Sequence, residues 1–153
     1  VVGVDPGVTG ALALHVNGSL EDIQDMPVHD TRVDGAAISV LLTRWAPDFV
    51  FIENTQPMPR NGVVPSFKLG LNTGIVIGVV QALQHPLIRV RPQTWKGKMG
   101  VSRMDKNGIR GVVREIYPSW ASCFARVKDH DRAEAVLISR YGVTVNLQEA
   151  NAS

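Results

Sequence analysis

Short apolar runs dominate the first third of the chain, and helical spacings dominate the rest. Val1, Val2 and Val4 form a run that stops at Asp5, which predicts a core strand over residues 1–5. GALALHV (10–16) predicts a second strand, and Asn17-Gly18 behind it is a strong hairpin turn. SLEDIQDM (19–26) alternates apolar and polar residues, as a third, half-buried strand would. The three make an antiparallel meander. Asp30 to Asp34 reads as a polar loop. GAAISVLLTRW (35–45) has helical spacing, and Pro47 ends it. FVFIE (49–53) is short, apolar and rich in β-formers, then stops on Glu53. It predicts a buried central strand that again ends on an acid.

Residues 54–64, NTQPMPRNGVV, read as a loop. SFKLGLNTGIVIGVVQALQ (66–84) predicts a long helix with Gly70, Gly74 and Gly78 on one face. Small residues at that spacing suit core packing or a subunit contact better than a membrane, because Lys68 lies inside the segment. LIRVR (87–91) predicts a strand closed by Pro92, and 92–104 a basic loop or short helix. KNGIRGVVREIYP (106–118) reads as a helix. SWASCFARVK (119–128) shows no clear period. HDRAEAVLISRYG (130–142) predicts a last helix with Gly142 as its stop, followed by a frayed tail over 143–153. The apolar runs at 49–53 and 87–91 imply parallel members, so the expected architecture is α/β: a mixed sheet with packed helices in one domain, 1–142.

Composition changes this picture only in its charge. The 153 residues carry a net charge of +2, but residues 1–58 hold eight acids and two bases. Residues 89–114 hold eight bases and one acid, Asp105. An acidic half beside a basic segment suits a metal-dependent enzyme acting on a polyanion. A single cysteine, Cys123, excludes an internal disulfide and fits a reducing compartment. Neither a signal pattern nor an 18-residue apolar stretch stands out, so a cytoplasmic protein with no membrane contact is expected.

Four carboxylates fit no core. Asp5 and Glu53 end apolar strands, and Asp131 and Glu134 share a face of the first turn of the last helix. Neighbouring strands would set Asp5 beside Glu53, and the helix pair above them would crowd four acids together. Such crowding is unfavourable without a cation. With Mg²⁺ or Mn²⁺ it becomes an oxygen-donor site, and two ions about 4 Å apart activate water and stabilise a leaving oxygen. Asp129 competes with Asp131 for that role, and His130 adjoins it. No zinc spacing, Walker loop or nucleophile elbow occurs.

VVGVDPGVTGALAL, FIENTQPMP, SFKLGLNTGIVIGVVQAL and DRAEAVLIS, in that order, resemble the motifs of RuvC-type Holliday junction resolvases of the RNase H-like superfamily. The resemblance spans roughly residues 1–142, and the DxxE and FKLG helices point to the bacteriophage-like branch. It implies an RNase H-like fold: a mixed five-stranded sheet with helices on both faces. It assigns Asp5, Glu53, Asp131 and Glu134 as metal ligands and catalytic acids. It further implies two Mg²⁺ ions, replaceable by Mn²⁺, a water nucleophile and a homodimer. Such a dimer cuts a four-way junction symmetrically to leave 5′-phosphate and 3′-hydroxyl ends.

Lys96, Lys98, Arg103 and Lys106 fall where that family offers cations to the DNA backbone, with Lys68 and Arg60 as further candidates. Phosphates require such cations whatever the family. Trp95 reads as a core anchor. Two departures widen the expectation to other branched DNA, including Y-forks and flaps. No aromatic lies at 54–59, where Met58 is the apolar substitute, and the last acid is Glu134 rather than aspartate. The competing readings are a nuclease of RNA–DNA hybrids and a catalytically silent branched-DNA binder. An actin-like ATPase requires a larger, two-lobed chain.

Overall fold

The computed structural model describes residues 1–54, 56 and 62–152, with side chains described through residue 146. β1 (Val2–Asp5), β2 (Ala11–Val16) and β3 (Ser19–Asp25) form the expected meander. A two-residue hairpin, β4 (Val28–His29) and β5 (Arg32–Val33), follows. α1 spans Gly35–Trp45, β6 Val50–Glu53, α2 Val63–Ala82 and β7 Leu87–Val90. α3 (Pro92–Lys98), α4 (Lys106–Ile116), two 3₁₀ segments (Pro118–Phe124 and Val127–Asp129) and α5 (His130–Ala152) complete the chain. The main sheet runs β3-β2-β1-β6-β7, with β1–β2 and β2–β3 antiparallel and β1–β6 and β6–β7 parallel.

Strand alternation assigns every side chain to one of two cores. Val2, Val4, Leu12, Leu14, Val50 and Ile52 pack with Ile38, Leu42, Val76 and Val80 of α1 and α2. Ala11, Ala13 and Phe51 face the other way and pack with Ala133 to Ile138 of α5, and with Trp95 of α3 and Ile109 and Val113 of α4. Period two therefore sends Asp5 and Glu53 to the α5 side. Because Val4 pairs with Ile52, the two acids are the next residues on adjacent parallel strands.

Three expectations needed correction. Residues 28–33, read partly as loop, form the β4–β5 hairpin. Two-residue strands carry no periodic signal, and the hairpin is held from outside, by Val33 N–H donating to Asn72 Oδ1 of α2 at 3.0 Å. α5 does not stop at Gly142 but runs on to Ala152, so the tail predicted over 143–153 is helical through Ala152. Gly142 is a contact residue: a Cβ there would collide with the Phe51 ring and Val1. Gly3 plays the same part under α5, where a Cβ would strike the backbone of Ala135 and Ser139. Finally, α2 is long and apolar enough to cross a membrane by length and composition, with a mean hydropathy of 1.6. Its buried residues, Asn72, Thr73, Val76 and Val80, lie against this protein's own elements.

Local caps match the chain's polar residues. The Asp34 carboxylate accepts from Ala36 and Ala37 N–H at the start of α1, and Asp105 accepts from Gly108 N–H at the start of α4. Residues 119–128 gave no period because they form 3₁₀ turns, which carry no amphipathic repeat of that kind.

His15 is 1% exposed and ties β2 to α5. The Ser139 hydroxyl donates to Val136 O, so it accepts from His15 Nδ1–H at 2.8 Å. Nε2 then accepts from the Tyr117 hydroxyl at 2.8 Å, whose oxygen accepts from Arg140 Nη1 at 3.1 Å. Burial, and then the Arg140 charge, lower the imidazole from 6.5 to about 4. The unfolded chain thus takes up a proton near pH 6.5 that the folded protein refuses until about pH 4. Stability from this group is complete above pH 6.5 and declines as pH falls to about 4, by about 3 kcal/mol at most. An NMR titration of the His15 ring should give a midpoint near 4.

Candidate metal centre

Asp5, Asp131 and Glu134 each offer a carboxylate oxygen, and these three oxygens lie within 4.8 Å of one another. Asp5 comes from the end of β1, and the other two from the first turn of α5. Glu53, 8% exposed, stands beside them at the end of β6, outside that group of mutually close oxygens. Its Oε2 accepts from the Trp95 indole N–H at 2.7 Å. The four predicted acids are therefore neighbours at one end of the sheet, with three converged and the fourth anchored at the edge.

Their electrostatics show the cost. Burial raises Asp5 well above its ordinary 3.8, and the charges of Asp131, Glu134 and Glu53 push the same way. Only the Gly7 N–H draws it back. Burial also raises Glu53, while the Trp95 hydrogen bond opposes the rise, Glu134 adds to it and Lys96 offsets it. Hard oxygen donors this close, half-buried and mutually repelling, fit a divalent cation of the Mg²⁺ or Mn²⁺ type.

Asp129 takes no part in the cluster. It is 2% exposed, and its oxygens accept from the Arg126 backbone N–H at 2.7 Å and from Arg126 Nη2 at 2.8 Å. Burial, the largest influence, would raise its carboxyl, but the Arg126 hydrogen bonds and the charges of Arg126 and Arg132 together hold it low. Arg132 also approaches Asp129, at 3.7 Å, and reaches across to β3, where Nη2 donates to Asp25 Oδ2 at 2.6 Å. This network clamps the start of α5 to the sheet and so sets where Asp131 and Glu134 stand. It was not anticipated from the sequence, because Asp25 and Arg132 lie 107 residues apart.

The predicted cations divide into two sets. Lys96 Nζ pairs with Glu134 Oε1 at 2.8 Å. Lys106, the first residue of α4, places Nζ 2.6 Å from His130 Nε2, which is itself 2.7 Å from Asp131 Oδ1. Lys106, His130 and Asp131 line a cleft of about 400 Å³ with Thr9, Asp25 and Lys128. Lys98 ends α3, and Arg103 is exposed in the turn before α4. Lys68 belongs elsewhere, in a groove with Arg32, Val63 and Phe67 between α2 and the β4–β5 hairpin. Arg60 and Met58 lie outside the described residues.

Among solved structures, the chain is similar to RuvC of Thermus thermophilus bound to a Holliday junction substrate, with a TM-score of 0.64 and 18% identity over 94% of each chain. The chain has the RuvC fold. A second structure of Thermus thermophilus RuvC gives a TM-score of 0.58 at 18% identity, covering 94% of this chain and 95% of that one. The yeast mitochondrial Holliday junction resolvase Ydc2 gives 0.59 at 15% identity, covering 92% of this chain and 75% of that one. No protein-family model and no curated protein sequence matches the chain. The RuvC fold is RNase H-like, as the sheet order and the helices on both faces require.

Because Asp5 holds its proton to higher pH when folded, its contribution to stability falls as pH rises above 3.8 and stays low beyond the folded value. Asp5→Asn relieves that repulsion. The expected result in metal-free buffer at pH 7.5 is a melting temperature higher by on the order of 2–6 °C. The stabilisation that Mg²⁺ or Mn²⁺ gives the wild type should be lost in the same variant.

Proposed function

We propose that this protein is a divalent-metal-dependent endonuclease that hydrolyses phosphodiesters in four-way DNA junctions and related branched DNA. The observation that carries the reading is the convergence of Asp5, Asp131 and Glu134, flanked by Glu53, on a sheet end bordered by Lys96 and Lys106. The Holliday junction substrate bound to the similar RuvC structure and the resolvase name of Ydc2 support it. Asp5, Glu53, Asp131 and Glu134 would hold the cations, Mg²⁺ physiologically with Mn²⁺ as a substitute. When bound, a pair of such ions supplies Lewis acidity and a water of lowered pKa.

The chain's own residues do the rest. The strand ends fix two of the acids on a rigid support. The α5 clamp through Arg132 and Asp25 fixes the other two. Lys106 and Lys128 present positive charge in the cleft beside Asp131, where a phosphate backbone requires it, and exposed Arg103 is a further candidate contact. Lys98, the last residue of α3, is a further candidate backbone contact. We further propose that it belongs to the bacteriophage-like branch and works on DNA in a bacterial or infected-host cytoplasm.

Paired cuts need two sites, and α2 supports a homodimer. Val63, Val64 and Phe67 are 86%, 64% and 68% exposed. Gly70, Gly74 and Gly78 continue along the helix, and a Cβ at any of them would meet nothing within 4 Å. An apolar face ending in a small-residue stripe suits close approach of a second α2. Phe67→Glu should convert a dimer to a monomer in analytical ultracentrifugation while leaving divalent-metal binding within twofold of wild type.

The deciding experiment presents a mobile four-way junction, a Y-fork and linear duplex to the protein with Mg²⁺. Wild type should nick the junction in symmetric pairs, and Glu53→Gln should lower the rate by at least about 10²–10³-fold. Equal cutting of junction and fork means a general branch nuclease. Binding without cutting in either Mg²⁺ or Mn²⁺ overturns the enzyme reading and leaves a DNA-structure binder.

A further inference from the structure

We infer that Trp95 is a positioning residue for Glu53, its indole N–H holding one carboxylate oxygen so that the other is presented to the metal centre. This rests on the functional reading above. Trp95 is fully buried, in the core formed with Val90, Val101, Ile109, Val113 and Phe124. A residue serving only to fill that space needs no polar atom. Tryptophan brings an N–H that must be paired when buried. Its partner is Glu53 Oε2, at 2.7 Å.

The two side chains differ in freedom. A glutamate at the end of a strand has three rotatable bonds, and each wrong rotamer removes a ligand. The indole is locked by close packing on every side. A rigid donor therefore orients a flexible acceptor, and Oε2 is committed while Oε1 remains for a cation. Partners of this kind behind a ligand fix its orientation, and losing one costs roughly 10–100-fold in metal affinity.

The next residue on α3 supplies the contrast. Lys96 pairs with Glu134 at 2.8 Å and brings a full positive charge, which competes with a metal ion for the same carboxylate. The indole is neutral. It orients Glu53 without cancelling the charge a cation needs. Consecutive residues of one helix thus hold one acid from the sheet and one from α5, the first compatible with a bound metal and the second displaced by it.

The test uses the full chain in three measurements. Trp45→Phe and Trp120→Phe assign the wild-type indole N–H signals by elimination. On titration with Mg²⁺ alone, the Trp95 signal should shift along the calorimetric binding isotherm while those of Trp45 and Trp120 stay in place. Trp95→Phe keeps an aromatic ring, smaller than the indole, and deletes the donor. It should weaken Mn²⁺ binding by calorimetry, and raise the Mg²⁺ needed for half-maximal junction cleavage, by about 10-fold or more. A Trp95 signal indifferent to metal, or a folded Trp95→Phe protein that binds Mn²⁺ within twofold of wild type, makes Trp95 a core residue only and overturns the proposal. If Trp95→Phe fails to fold, the wild-type titration decides alone. A wild type that binds neither metal overturns the functional reading as well, whereas metal binding that ignores Trp95 overturns this inference alone.

Discussion

Mutual repulsion among carboxylates at one end of a sheet is the constraint around which this molecule is arranged. Three acid oxygens within 4.8 Å would separate if their supports could move. Two supports prevent it. The parallel pairing of β1 with β6 fixes Asp5 and Glu53 at adjacent strand ends. α5 presses backbone to backbone on the sheet at Gly3 and takes the Phe51 ring against Gly142, and its first turn is tied to β3 through Arg132 and Asp25. The rest of the core is the counterweight that holds an unfavourable cluster together.

That counterweight is split by the sheet into two unequal tasks. The core on the side with α1 and α2 is almost wholly aliphatic and carries none of the four acids. The other side mixes apolar packing with the acids, the buried His15–Ser139–Tyr117 chain and the Trp95 indole. His15, Tyr117 and Trp95 are paired there across elements distant in sequence, so they help determine how α5 and α3 register on the sheet. Stability and site geometry thus depend on the same contacts on one face and are separable on the other.

Much of this was legible in the chain. An apolar run that ends on an acid exposes both the strand and the odd residue, which is why Asp5 and Glu53 stood out. The Asp131–Glu134 spacing showed a shared helical face, and the meander followed from Asn17-Gly18. The failures have a common cause. Gly142 looked like a helix stop because its reason is Phe51, far away in the sequence. The β4–β5 hairpin is held by Asn72 of α2. Trp95 read as core, and its acceptor lies 42 residues earlier. Asp129 competed with Asp131 in the sequence, and only the structure shows Arg126 and Arg132 occupying it. Local pattern conveys which face a residue takes; it does not convey what waits on that face.

The order of the ligands along the chain has its own consequence. Asp5 precedes Glu53 along the chain, and Asp131 and Glu134 come only with α5. Strands β1 to β3 can pair early, yet they hold only one acid and no complete cation site. A nascent or truncated chain is therefore without the cluster until α5 docks over Gly3. Docking of α5 acts as a safety catch on the site, and the repulsive step in assembly comes with it, when the sheet is in place to bear it.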